Sequence, residues 1–78
     1  MSDPTIAMQE HLDAVRAQLR KLDGARERVR SATPSEFREA LEAVKREAAK
    51  LATAAEEAHA AAKAAVRRAA ATGGESGA

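Results

Sequence analysis

Residues 33–71 read TPSEFREALEAVKREAAKLATAAEEAHAAAKAAVRRAAA, and they decide what shape this chain takes. Thr33-Pro34-Ser35-Glu36 is written as a helix start: a Thr N-cap, Pro at the first helical position, and Glu three residues after the Thr to close a capping box. Beyond it, apolar residues fall at Phe37, Leu41, Val44, Ala48, Leu51, Ala55, Ala58, Ala62, Ala65 and Ala69. Their spacing alternates four and three without a break. A heptad pattern held over more than four repeats marks a helix that packs lengthwise on other helices. The row begins with large side chains and ends in alanines.

On the N-terminal side, Ser2-Asp3-Pro4 supplies a second helix start, with Asp3 as N-cap and Pro4 at the first helical position. Met8, Leu12, Val15, Leu19, Leu22 and Val29 then keep the same spacing, interrupted once by Arg26. The pattern predicts a first helix from about Pro4 to about Arg30, with Gly24 on its outward face at a cost of about 1 kcal/mol relative to Ala. Residues 31–33 are left as the turn, because the residue before Pro34 is pushed out of helical geometry. A turn so short between long helices gives an antiparallel hairpin. Pairing residues whose numbers add to about 63 then sets Leu22 beside Leu41, Leu19 beside Val44 and Leu12 beside Leu51. The second helix is expected from 34 to 72, ended by Gly73-Gly74, with residues 73–78 as a loose tail. It would overhang the first by roughly 16 Å at 1.5 Å per residue.

Composition says how such a hairpin must survive. Of 78 residues, 35 are apolar, but 22 of those are alanine, and Leu, Ile, Val and Phe total only 11. So few large side chains would suit a disordered chain. The net charge of +1 and the periodicity argue for a folded one. A single small domain this poor in large side chains needs a metal, disulfides or self-association. There is no cysteine. The expectation is therefore an all-α protein, one antiparallel helical hairpin that self-associates, a dimer being favoured, into a coiled-coil-like or four-helix bundle. No signal peptide or membrane span is expected, because no basic-then-apolar leader and no uncharged run of 18 apolar residues occur. A cytoplasmic location fits, and high Ala and Arg content points to a high-GC bacterial genome.

Chemistry is scarce. His11 and His59 are the only histidines, and Glu10, Asp13, Glu56 and Glu57 are the only acidic neighbours that could complete a zinc set of three or four ligands. Two surface histidines are the commoner outcome. Glu56-Glu57 point about 100° apart on a helix and make no acid/base dyad. No nucleophile–base pair and no glycine-rich phosphate loop is present. No catalytic residue, cofactor or metal is expected, and the chain reads as non-enzymatic. Two surfaces remain. The alanine-rich half of the second helix could meet another helix through Ala55, Ala58, Ala62, Ala65 and Val66, in a second copy or in another protein. The alternative is a nucleic-acid-binding hairpin whose basic end near the turn, with Arg16, Arg20, Lys21, Arg26, Arg28 and Arg30, contacts phosphates. The favoured function is an assembly, adaptor or partner-binding module.

Overall fold

Asp3 opens the first helix as its sequence predicts: the carboxylate accepts a hydrogen bond from the Thr5 N–H at 2.8 Å, with Pro4 just inside. This is the start of α1 (Pro4–Ser31), which is followed by α2 (Phe37–Gly77). The structure, a computed structural model, describes residues 3–77, with side chains through Ala71. The two helices pack side by side and antiparallel as a hairpin. The molecule measures 64 × 23 × 13 Å. Thirteen ångströms is about one helix diameter, so the hairpin is a single layer.

The break between the helices spans residues 32–36, longer than the expected 31–33. Ala32 ends α1 in extended geometry, with its N–H on the Val29 carbonyl. The Thr33–Glu36 box then forms in one direction only. Glu36 Oε1 accepts from the Thr33 N–H at 3.0 Å and from the Thr33 hydroxyl at 2.9 Å. The hydroxyl is thereby used as a donor. The Glu36 N–H turns to the Thr33 carbonyl instead, at 2.9 Å. That bond closes a tight turn over Pro34 and Ser35, so α2 begins at Phe37 and not at Pro34. At the other end α2 does not stop at Thr72. It continues through Gly73-Gly74 to Gly77. Glycine permits a left-handed terminator but does not impose one, and no proline follows to force the end. Ala78 lies outside the described residues.

The inner surface of the hairpin also differs from the expected one. On α1 the buried or half-buried positions are Pro4, Ala7, Met8, His11, Val15, Gln18, Leu22, Ala25 and Val29. On α2 they are Ala40, Ala43, Val44, Glu47, Leu51, Ala54, Ala58, Ala61, Ala62 and Ala65. From Met8 to Val29 and from Val44 to Ala61 the steps again alternate three and four. They share Met8, Val15, Leu22, Val29, Val44, Leu51, Ala58, Ala62 and Ala65 with the expected seam, but elsewhere they take the neighbouring edge. Ala25, Ala43 and Ala58, at 2, 4 and 6% exposure, are the tightest contacts. Small side chains let the two backbones approach closely, and the helices have rotated onto that side. Gln18 fixes the level at which they meet: its Nε2 donates to the Glu47 carbonyl at 3.1 Å and to Glu47 Oε1 at 2.6 Å. Facing residues thus add to about 65, and the expected pairing at about 63 is displaced.

Candidate interaction surface

Rotation onto the alanine edge leaves the large side chains outside. Leu12 and Leu19 on α1 are 47 and 46% exposed, and Phe37 and Leu41 on α2 are each 45% exposed. These positions belong to the expected seam, yet the hairpin does not use them. Their arrangement follows from helix geometry. Residues four apart lie about 40° apart around the axis. Leu12 and Leu19 sit about 40° beyond the shared row Met8–Val15–Leu22, in the sense of increasing residue number. Leu41, Ala48 and Ala55 are displaced in the same sense from Val44 and Leu51. The helices run antiparallel, so equal rotations carry both rows to the same side of the layer. One long face of the hairpin is therefore an apolar strip. It has leucines on α1, alanines on α2, and Leu41 and Phe37 toward the turn. A shallow depression lined by Leu12, Val15, Gln9, Asp13 and Arg16 runs along its α1 side.

The strip continues past the end of α1. Gln18 lies opposite Glu47, and stepping along the helices brings Pro4 level with about Ala61. Beyond this point α2 has no companion helix. Val66 lies on the same row as Ala48 and Ala55 and is 67% exposed. Ala69 follows it and is exposed too. The expected partner-binding set is thus divided. Ala55 and Val66 are open, Ala62 and Ala65 are half-buried, and Ala58 is taken up inside the hairpin. Ala58 cannot also meet a partner.

The basic residues do not converge. Arg16, Arg20, Lys21, Arg26, Arg28 and Arg30 are all exposed, but at 100° per residue they point to every free side of α1. Arg26 and Arg30 lie in the row of Leu12 and Leu19 with Arg16 beside it, Arg20 points outward, and Lys21 and Arg28 point to the opposite face. Arg28 borders an open cleft at the turn on the opposite face, where Arg46, Glu36 and Glu39 also sit, so both signs of charge are present there. The ion pairs Arg30–Glu27, Arg38–Glu42 and Lys50–Glu47 each lie within one helix. Glu42 pairs with Arg38, four residues before it, and not with Arg46, four residues after it, which the i, i+4 spacing also allows. His11 is half-buried in the helix contact, whereas His59 is exposed. Among the described residues no three His, Cys, Asp or Glu side chains cluster as metal ligands, and no described helix is long and apolar enough to cross a membrane.

Two carboxyls are held below the ordinary range. For Glu36 the causes are the Thr33 N–H and then its hydroxyl. For Glu47 the leading cause is the Gln18 amide, which outweighs partial burial acting the other way. Gln18 is the residue that sequence reading passed over. Its signal was there: it stands between Val15 and Leu22 in an unbroken three–four row, whereas the leucine row is broken by Arg26. Comparison with known proteins gives no match to a family model, a curated protein or a solved structure.

Proposed function

We propose that this chain is a non-enzymatic assembly module that works by offering the leucine strip of its hairpin to another helical surface. The observation that carries the reading is the placement of Leu12, Leu19, Phe37 and Leu41. They are among the largest apolar side chains in the sequence, and each is 45 to 47% exposed on one side of the layer. Scattered exposed leucines are ordinary, but a contiguous apolar strip marks an interaction surface. The area agrees with this. A folded chain of 8.2 kDa should expose about 4,500 Å², and this one exposes 6087 Å². Part of the excess belongs to the overhang of α2 and part to the flatness of a single layer. Domains bury apolar faces between two layers, and a partner would supply the second.

Nucleic-acid binding is the weaker reading, since the six basic residues share no face. The test substitutes Leu12→Gln, Leu19→Gln and Leu41→Gln together and compares association with the parent chain by sedimentation velocity and by site-specific photocrosslinking from Ala48. The expected outcome is loss of the associated species and of the crosslinks. If the triple variant associates and crosslinks as the parent does, the strip is passive and the reading is wrong.

A further inference from the structure

We infer that the strip is covered by a second copy of this chain, packed face to face about a two-fold axis along the length of the hairpin, with both turns at the same end. The inference rests on the reading of the strip as an interaction surface and adds the occupant and its orientation. Three observations support it.

The first is self-complementarity. With facing residues adding to about 65, Leu19 stands within about 3 Å of the level of Ala48 of the same hairpin, and Leu12 within about 3 Å of that of Ala55, but on the other helix. A two-fold axis along the hairpin lays α1 of one copy over α2 of the other at unchanged level. Leu19 then meets the partner's Ala48, and Leu12 the partner's Ala55. Large side chains enter the spaces left by small ones, as interdigitated helix packing requires. Turning the second copy end for end would instead set leucine row on leucine row and alanine row on alanine row.

Size supports the same occupant. The paired part of the hairpin is 28 residues long, or about 42 Å, and 23 Å wide. One such face presents roughly 900 Å² in projection, which matches the roughly 800 Å² per partner of a stable dimer.

Charge is the third observation. Asp23 lies on the outer flank of the strip and is exposed, with no ion pair of its own. By the same register it is level with a point on α2 between Arg38 and Lys45, which flank the strip on that helix. In the proposed dimer this flank of α1 lies along that flank of α2, and Asp23 falls between the partner's Arg38 and the partner's Lys45. Rim pairs of this kind select orientation more than they add affinity.

The experiment places a nitroxide at Ser35, exposed in the turn, through Ser35→Cys in the full chain, and measures the distance between labels by pulsed electron resonance. Turns at one end give labels within about 25 Å of each other, roughly two helix diameters. Turns at opposite ends give about 40 Å or more, the length of α1. A second arm introduces Leu12→Lys and Leu19→Lys, which removes four leucines from each symmetric dimer and should weaken dimerisation about ten-thousandfold, one tenfold step for each. A short distance that vanishes in the lysine variant supports the inference. A distance of about 40 Å or more overturns the orientation. A parent chain that stays a single copy at its highest soluble concentration overturns the second copy as occupant. In that last case crosslinking from Ala48 to a different protein would leave the wider reading of the strip standing.

Discussion

Each helix of this hairpin carries one apolar stripe with two edges, and the two edges have different fates. The inner edge runs through Gln18, Ala25, Ala43, Glu47 and Ala58. It holds small or polar side chains and is buried or half-buried within the chain. The outer edge runs through Leu12, Leu19, Leu41 and Phe37, and it is about half exposed. Hydrophobic size alone predicts the reverse. The difference shows that close approach of backbones over alanine can decide how two helices of one chain meet, leaving Leu12, Leu19, Leu41 and Phe37 about half exposed. It also accounts for the lack of a fully buried large side chain among the described residues: four large ones lie on the outer edge, and Met8, Val15, Leu22, Val29, Val44 and Leu51 are only half-buried.

The sharpest test sets one substitution on each edge. Ala25→Leu puts three extra carbons into the tightest contact, where Ala25 is only 2% exposed. Overpacking of that kind costs about 1–3 kcal/mol. Leu19→Ala removes three carbons from the outer edge and should change the stability of an isolated hairpin by less than about 0.5 kcal/mol, while weakening association. Urea denaturation at several protein concentrations separates the two, because an effect through association depends on concentration and an effect within the hairpin does not. If Leu19→Ala is the more damaging at every concentration, the edges have been assigned the wrong way round.

How much of this was legible in the sequence follows from the same edges. The hairpin was legible because two helix starts, Asp3-Pro4 and Thr33-Pro34, each precede a heptad row, broken once by Arg26 in the first and unbroken in the second. The choice of edge was harder. Met8, Val15, Leu22, Val44 and Leu51 belong to both rows, and size favoured Leu12 and Leu19 over His11 and Gln18. Arg26 was the clue, since it interrupts the leucine row where the other row has Ala25. The end of α2 was misread because glycine was taken as a stop, when it only lowers helix propensity. The basic residues looked clustered along the chain, but a helix turns 100° per residue and spreads neighbours around its axis.

A smaller effect is expected at the level marker of the inner edge. Gln18→Ala deletes the amide that bonds Glu47 across the helix contact, at a cost of about 1 kcal/mol. Gln18→Leu should cost less, because it fills the space with an apolar group. It removes both hydrogen bonds that Gln18 makes to Glu47 across the contact, though, and so should loosen the relative level of the helices, as loss of a buried polar residue does in coiled coils. Cysteine pairs placed across the contact and allowed to oxidise would show this as a broader set of disulfides in the leucine variant. A set as narrow as the parent's would mean that alanine packing alone fixes the level.

Gly24 gives an effect of opposite sign. It lies mid-helix and exposed, with nothing within 4 Å of where a Cβ would stand. Gly24→Ala should stabilise by about 0.5–1 kcal/mol through the helix backbone. It touches neither edge, so thermal melting should rise equally for associated and dissociated chains. A rise confined to the associated form would place Gly24 at a contact.

The smallest expected effect appears in acid and reports on the inner edge alone. The Glu47 carboxyl is held below its ordinary value of 4.5, chiefly by the Gln18 amide, with Lys50 at 3.9 Å adding a smaller push the same way. A carboxyl whose pKa is lower in the folded chain than in the unfolded one contributes stability that is fully present above the unfolded value. That contribution is lost as pH falls through the folded value. Stability should therefore be level from neutral pH down to about 4.5, the ordinary carboxyl value, and decline below it. Glu36, lowered by the Thr33 N–H and hydroxyl at the turn, contributes in the same window and serves as an internal control. Following both side-chain carboxyl carbons by NMR, Gln18→Ala should move the Glu47 titration up toward the ordinary value and leave Glu36 where it was. If Glu47 titrates alike with and without Gln18, the bond that sets the level of the two helices is not made in solution. The outer strip would then lose the register by which Leu19 is placed opposite the partner's Ala48.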